Sequence, residues 1–131
     1  MKVLFVDDEE TRHGVFKRHS IGHSVDHVLN ADEAIKKMSE EVYDLIFLDH
    51  DLCIDLQNQT IDGEKDGRYI VRWMVSEYKS RNALVVCHSL NFDGRQMMLS
   101  LLKEAGFNVL DLPFAWYKFP WDQLVKQEVS E

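Results

Sequence analysis

Cysteine and proline are scarce in this chain, with two of each in 131 residues. Cys53 and Cys87 lack the spacing of a metal-binding motif, and Cys87 ends an apolar segment, so we expect reduced thiols rather than a disulfide framework. The sequence also lacks an apolar run long enough to cross a bilayer, and no cationic leader precedes "KVLFV". We therefore expect a cytoplasmic protein that does not enter a membrane.

Basic residues are outnumbered, since 15 Lys and Arg stand against 23 Asp and Glu and give a net charge of −8. Such a chain is a poor partner for duplex nucleic acid or an anionic lipid surface. Any anionic ligand must be met locally, by a few donors or by a bound cation. The 45% apolar composition is enough for one core, so we expect a single domain over residues 1–131.

Strand-like and helix-like segments alternate along the chain. The strand-like segments are "KVLFV", "HSVDHVLN", "YDLIFL", "ALVVC" and "FNVLDL". Helical patterns lie within 7–20, in "ADEAIKKMSEE" after the capping-box pair Asn30 and Glu33, in "RYIVRWMVSEYKS", in "RQMMLSLLKEA" before Gly106, and after Pro120. This alternation predicts an α/β fold, a five-stranded parallel doubly wound sheet with helices on both faces.

Two segments stand outside this pattern. Residues 49–66 form a long loop with two Asp-Gly dipeptides, and long loops within compact domains are more often functional than accidental. The C-terminal segment 114–131 opens with the aromatic run "FAWYKFPW" at 114–121. We interpret this run as a cover for the sheet; self-association or a protein partner, base stacking and membrane contact are the alternatives.

Ionisable and polar residues follow the predicted strands directly. They are Asp7 and Asp8 after the first strand, Asp49, His50 and Asp51 after the third, and His88, Ser89 and Asn91 after the fourth. The carboxyl ends of parallel strands meet at one edge of a sheet, where such folds bind ligands. Two carboxylates about 4 Å apart repel by roughly 4 kcal/mol at an effective dielectric near 20. The acids are therefore expected to hold a divalent cation, Mg²⁺ first, with Mn²⁺, Ca²⁺ or Zn²⁺ as alternatives.

The ordered set "VLFVDDEE", "DLIFLD" and "DG" at the start of the next helix resembles the CheY-like receiver domain of bacterial response regulators. The resemblance implies a flavodoxin-like strand order 2-1-3-4-5. It also implies that Asp7, Asp8 and Asp49 hold Mg²⁺ and that Asp49 accepts a phosphoryl group.

The chain departs from the receiver pattern at three places. His88 stands where receivers have a small hydroxyl residue, with Ser89 behind it, and Leu112 stands where they have a lysine before the proline that follows the fifth strand. The stretch from Asp49 to the Asp66-Gly67 pair is also longer than a receiver loop needs. These departures put simple phosphoryl acceptance in doubt.

A narrower resemblance accommodates the departures. "LDHDL", the Gly-containing loop and "HSLNFDG" with Met97 and Met98 are similar to receiver-derived domains that process cyclic phosphates. This resemblance implies a metal-dependent phosphoesterase in which the acids hold the ion and His50 and His88 transfer protons. Ser89 and Asn91 would then donate hydrogen bonds to the phosphate oxygens. Alternatively, Asp49 attacks phosphorus and the aspartyl phosphate is hydrolysed.

Other interpretations stay open at this stage. The protein could be a phospho-accepting signalling receiver, or a domain that binds a small phosphorylated ligand without changing it. Asp51 could bind the metal or accept hydrogen bonds from loop amides, and His50 could be a solvated loop residue or the partner of a carboxylate. The remaining histidines follow no pattern of acids, and we expect them at the surface or the sheet edge: His13, His19, His23 and His27.

Overall fold

A computed structural model describes residues 1–52 and 65–113. Predictions for segment 114–131, for the helix after Pro120 and for most of the long loop lie outside the described residues. The described elements are β1 (Lys2–Val6), α1 (Glu10–His19), β2 (Ser24–Val28), α2 (Ala31–Glu40), β3 (Leu45–Leu48), α3 (Gly67–Glu77), β4 (Leu84–Cys87), α4 (Phe92–Glu104) and β5 (Asn108–Asp111).

The five strands form one parallel sheet in the order β2-β1-β3-β4-β5, which confirms the predicted fold class and strand order. The backbone ladder continues one residue beyond four of the strands, and after β5 the bond runs from Leu112 N to Cys87 O (3.1 Å). The other three bonds run from Asp7 N to Val28 O (3.2 Å), from Asp49 N to Val6 O (3.2 Å) and from His88 N to Leu48 O (3.0 Å). The residues that follow β1, β3 and β4 are thereby fixed in register at one edge of the sheet.

Helices cover both faces of the sheet. Successive side chains of a strand point to opposite faces, so alternate residues of β1 pack in two different cores. Leu4 and Val6 pack in the larger apolar cluster with residues of α2, α3 and α4. Val3 and Phe5 pack in a second cluster that includes Phe16 of α1. Two covered faces explain why β1 and β3 read as continuous apolar segments.

Side-chain caps set where three of the helices begin, Asn30 for α2, Asp66 for α3 and Asn91 for α4. Asn30 accepts a hydrogen bond from Glu33 N at 2.9 Å, as the capping-box pattern predicts. The Glu33 carboxylate accepts from Leu29 N at 2.9 Å, one residue before the cap, and not from the amide of Asn30 itself. The fourth helix begins at Phe92, three residues before the predicted segment, because the Asn91 side chain accepts from Gly94 N at 3.0 Å.

Cys87 is a buried free thiol at the end of β4, and burial raises its pKa to about 12. The other cysteine lies outside the described residues. Across 1–52 and 65–113, each helix is too short or too polar to span a membrane.

Candidate functional site

Three carboxylates converge at the edge where β1 and β3 end. One oxygen from each of Asp7, Asp8 and Asp49 lies within 4.8 Å of the other two. Ligands of a single Mg²⁺ or Ca²⁺ are separated by at most twice a bond length, about 4 to 5 Å. The three oxygens therefore fit around one hard divalent cation, and the chemistry of the donor set is the one that such ions prefer.

The electrostatics of the cluster also favour a cation. Burial, together with the charges of Asp7 and Asp8, raises the pKa of Asp49 to about 7, and a hydrogen bond from Ser89 and the charge of Arg12 offset this rise only in part. Asp49 is 2% exposed. The protein's own donors thus leave this carboxylate under-compensated, and a bound cation would supply the missing charge.

Asp7 is compensated much better than Asp49. Burial would raise its pKa, but the hydrogen bond from His88 lowers it, and so do Glu9 N and Arg12, with a net pKa below the usual value. The Glu9 amide donates to Asp7 Oδ1 at 2.8 Å. Asp7 therefore stays ionised more easily than Asp49.

His88 lies behind the cluster rather than in the pocket. It has no exposed surface, its Nε2 lies 3.0 Å from Asp7 Oδ2, and its ring stacks on Phe5 with centroids 5.1 Å apart. Burial keeps the pKa of His88 low, so the neutral Nε2–H tautomer donates to Asp7. Ser89, the next residue in the chain, lines the pocket, whereas His88 does not.

A pocket of about 230 Å³ opens over the acids. It is smaller than the roughly 300–1,000 Å³ clefts that enclose drug-sized ligands, so it suits a phosphate group and the atoms next to it. Its walls are Asp8, Glu9, Arg12, Asp49, Asp51, Ser89 and Leu90.

Asp51 lines this pocket but is not part of the group formed by Asp7, Asp8 and Asp49. Its Oδ1 lies 2.8 Å from His50 Nδ1 and accepts a hydrogen bond from Asn91 Nδ2 at 3.1 Å. Burial opposes the charge of Asp51, but the hydrogen bonds from His50 and Asn91 outweigh it and lower the pKa. The contacts of Asn91 are therefore with Asp51 and with the start of α4.

His50 fits tightly between the starts of two helices. Its Nε2 lies 3.5 Å from an oxygen of Asp66, the residue that caps α3, and its carbonyl accepts from Gly67 N at 2.7 Å. A Cβ on Gly94 would come within 2.4 Å of the His50 ring, and one on Gly67 would come within 2.4 Å of the Asp49 carbonyl oxygen. Glycine at both positions is what lets α3 and α4 approach the residues after β3.

The family model described as "Cyclic-phosphate processing Receiver domain" matches residues 2–104. The chain belongs to this family. No curated protein sequence is detectably similar to the chain. The narrower of the two resemblances in the sequence is thus confirmed.

Solved receiver structures share the fold of this chain. A CheY-like receiver domain from Methanospirillum hungatei JF-1 matches with 18% identity and a TM-score of 0.64, over 98% of this chain and 91% of that one. The response regulator TrrA from Thermotoga maritima, in complex with Mg²⁺-BeF, matches with 21% identity and a TM-score of 0.59, over 98% and 96%. A Burkholderia pseudomallei response regulator with a phosphorylated aspartic acid, calcium ion and citrate matches with 18% identity and a TM-score of 0.58, over 98% and 73%.

Two residues of this receiver's site were missed in the sequence. Arg12 reaches the acids, with Nη1 3.2 Å from Asp7 Oδ1 and 3.7 Å from Asp49 Oδ2. Asp7 and Asp8 precede α1, so helical spacing gave no signal for this contact. His13, expected at the surface, is buried; its Nε2 lies 2.7 Å from the Asp7 carbonyl oxygen and its Nδ1 lies 2.7 Å from His27 Nδ1. No spacing in the sequence indicated that contact.

Proposed function

We propose that the protein hydrolyses a small phosphoester, most suitably a cyclic phosphate, with the help of a divalent cation. The observation that carries the proposal is the convergence of Asp7, Asp8 and Asp49 beneath a phosphate-sized pocket. The family to which the chain belongs is described by the processing of cyclic phosphates, and that description supports the choice of substrate class.

Asp7, Asp8 and Asp49 would hold the cation, with Mg²⁺ as the first choice for an all-carboxylate donor set. When bound, such an ion polarises a phosphate oxygen and lowers the pKa of a water molecule. The support from this chain is the under-compensated charge of Asp49, which burial and two neighbouring carboxylates cause.

The residues to which we assign proton transfer lie on the side of the pocket between the end of β3 and the start of α4. Asp51 faces the pocket, and His50 lies directly behind it, 2.8 Å from its carboxylate. We assign to this pair the proton that moves between water and the leaving oxygen. The Ser89 hydroxyl, on the pocket wall, has a single donor, which it gives to Asp49; with a cation on that carboxylate, the donor would turn to a phosphate oxygen.

His88 has a positioning role in this proposal. The donor that it presents to Asp7 keeps that carboxylate ionised and oriented, although the imidazole itself does not reach the pocket. Replacing His88 would therefore weaken metal binding before it affected any other step.

The test is turnover of a panel of cyclic nucleotides and other phosphodiesters with Mg²⁺, Mn²⁺ or Zn²⁺. We expect metal-dependent product release that Asp49→Asn and His88→Ala each reduce by about 100-fold or more. Asp32→Asn, at an exposed position on α2, is the control with the same charge change. Absence of turnover on the whole panel with every metal would end the hydrolase proposal, and tight binding without product would instead identify a ligand-binding domain.

A second function is supported by a different observation. Asp49 directly follows β3 and lines the pocket, and one solved receiver of the same fold carries a phosphorylated aspartic acid. We therefore propose phosphoryl acceptance on Asp49 as the alternative. Intact-mass measurement after treatment with acetyl phosphate and Mg²⁺ tests it: one added phosphoryl group on the wild type and none on Asp49→Asn would support it, and an unchanged wild-type mass would contradict it.

A further inference from the structure

We infer that Arg12 is the residue that binds the phosphate group of the ligand in this pocket, by a charge-assisted contact from α1. The ligand class rests on the proposed function, but the role of Arg12 rests on charge and position alone. It concerns a residue to which neither resemblance assigned a role.

The charge around the pocket makes one cation conspicuous. Among the described residues, the pocket walls carry four acids and a single basic side chain, that of Arg12. A phosphate ester would add further negative charge to this acidic pocket. Even with a divalent cation on the clustered acids, the ligand needs a positive donor close by, since phosphate oxygens are bound most strongly by ionised donors.

The position of Arg12 fits that need. It lies in the first turns of α1 and is held over the acids, with Nη1 3.2 Å and 3.3 Å from the two oxygens of Asp7 and 3.7 Å from Asp49. Its side chain is 31% exposed and forms part of the pocket wall. The guanidinium therefore lies between the clustered acids and solvent, where a phosphate group would enter.

The other parts of the rim offer no equivalent. Leu112, which follows β5, is apolar and packs against the cluster around Phe5 and Phe16. Asn91 already donates to Asp51 and accepts from Gly94 N, and Ser89 contributes a neutral hydroxyl. A planar guanidinium can make two parallel hydrogen bonds to a phosphate, a geometry that none of these groups can provide.

Electrostatic attraction also explains how Arg12 contacts both the acids and a phosphate group. Without a bound divalent cation, the guanidinium is attracted to the carboxylates of Asp7 and Asp49. Neutralising the acids with a divalent cation weakens that attraction, so the guanidinium becomes available to the phosphate at a small displacement.

The experiment measures binding rather than turnover. Affinity for Mg²⁺ alone, and for inorganic phosphate with Mg²⁺ present, is determined by calorimetry on the wild type, Arg12→Gln, Arg12→Lys and Arg18→Gln. Arg18 is an exposed residue of the same helix, so its variant has the same charge change at a distance from the pocket.

We expect Arg12→Gln to weaken phosphate binding by about tenfold or more, the effect of losing one charged hydrogen bond. Arg12→Lys should lose less, and Arg18→Gln should match the wild type. Binding of Mg²⁺ alone should be unchanged or tighter in Arg12→Gln, because a cation next to the acids has been removed.

Three results would overturn the inference. These are equal phosphate affinity in Arg12→Gln and Arg18→Gln, loss of Mg²⁺ binding in both Arg12 variants, and failure of the Mg²⁺-loaded wild type to bind phosphate. Failure of the hydrolase proposal looks different, because the wild type would then bind phosphate through Arg12 and release no product from the substrate panel.

Discussion

The imidazole of His88 donates a hydrogen bond to Asp7 over 3.0 Å, although 81 positions of sequence separate the two residues. The bond links the ends of β1 and β4 across β3, which lies between them in the sheet. Both side chains are fully buried. A buried carboxylate in such a place depends on the donors around it, so the geometry of the acid cluster depends on His88.

Replacing His88 by phenylalanine should test that dependence. The variant keeps a ring to stack on Phe5 but removes the donor to Asp7, and we expect the free energy of unfolding to fall by about 1–3 kcal/mol. Urea denaturation measures the change. His19→Phe, at an exposed position of α1, is the control, and an equal loss in both variants would show that the hydrogen bond contributes nothing.

The raised pKa of Asp49 predicts a pH-dependent difference in stability between the wild type and Asp49→Asn. Without divalent cations, the folded wild type holds a proton on Asp49 up to a pKa of about 7, whereas the ordinary pKa of an aspartate is 3.8. The unfolding free energy contributed by this group therefore falls as the pH rises between these values, by up to about 1.4 kcal/mol per pH unit. Asp49→Asn lacks the group and should gain stability relative to the wild type over that range.

The measured quantity is the difference in unfolding free energy between the wild type and Asp49→Asn at each pH. Burial lowers the pKa of His27 to about 4, which raises stability over part of the same pH range in both proteins. That contribution cancels when the variant is compared with the wild type at each pH. Parallel stability profiles from pH 4 to pH 7 would mean that Asp49 is not under-compensated in the folded protein.

Divalent cations should stabilise the folded protein through the acid cluster. At a Mg²⁺ concentration 100 times the dissociation constant, we expect a gain of about 2.7 kcal/mol, visible as a rise in the thermal midpoint. Asp8→Asn removes one of the three oxygens and should lose most of the rise. Glu10→Gln, an exposed acid in the first turn of α1, should keep it, and an equal response of the two variants would rule out a site built on Asp8.

The close approach of α4 to His50 should make Gly94 intolerant of a methyl group. A Cβ there would lie 2.4 Å from the His50 ring. We therefore expect Gly94→Ala to lower the free energy of unfolding by about 1–3 kcal/mol and to separate His50 from Asp51. Gly14→Ala is the matched control, since a Cβ on that helical glycine meets nothing within 4 Å and should stabilise α1 by about 0.5–1 kcal/mol. Gains of stability in both variants would contradict the fit around His50.

Much of the fold was predictable because its signals are local. The apolar segments at β1, β3 and β4, and the Asn30 cap, each carry their structure in a few neighbouring residues. The convergence of Asp7 and Asp49 followed from topology, since parallel strands that are adjacent in the sheet end side by side.

The contacts across the site could not be predicted in this way. The residue after β4 can turn into the core or into the pocket, and periodicity does not distinguish these choices, so the burial of His88 beside Asp7 could not be predicted. The sequence predicted Asn91 only as a donor to phosphate oxygens. Its second role, accepting from Gly94 N at the start of α4, was missed because no recognisable apolar period marks that helix start. The contact of Arg12 with Asp49 joins two elements that are distant in sequence.

Asp66 and Asn91 each begin a helix and also contact the His50–Asp51 pair. Moving this chemistry to another scaffold would therefore require more than copying the pocket side chains. The His50–Asp51 pair would have to be grafted together with the first turns of α3 and α4. A scaffold with residues bulkier than glycine in those turns could not accept the pair.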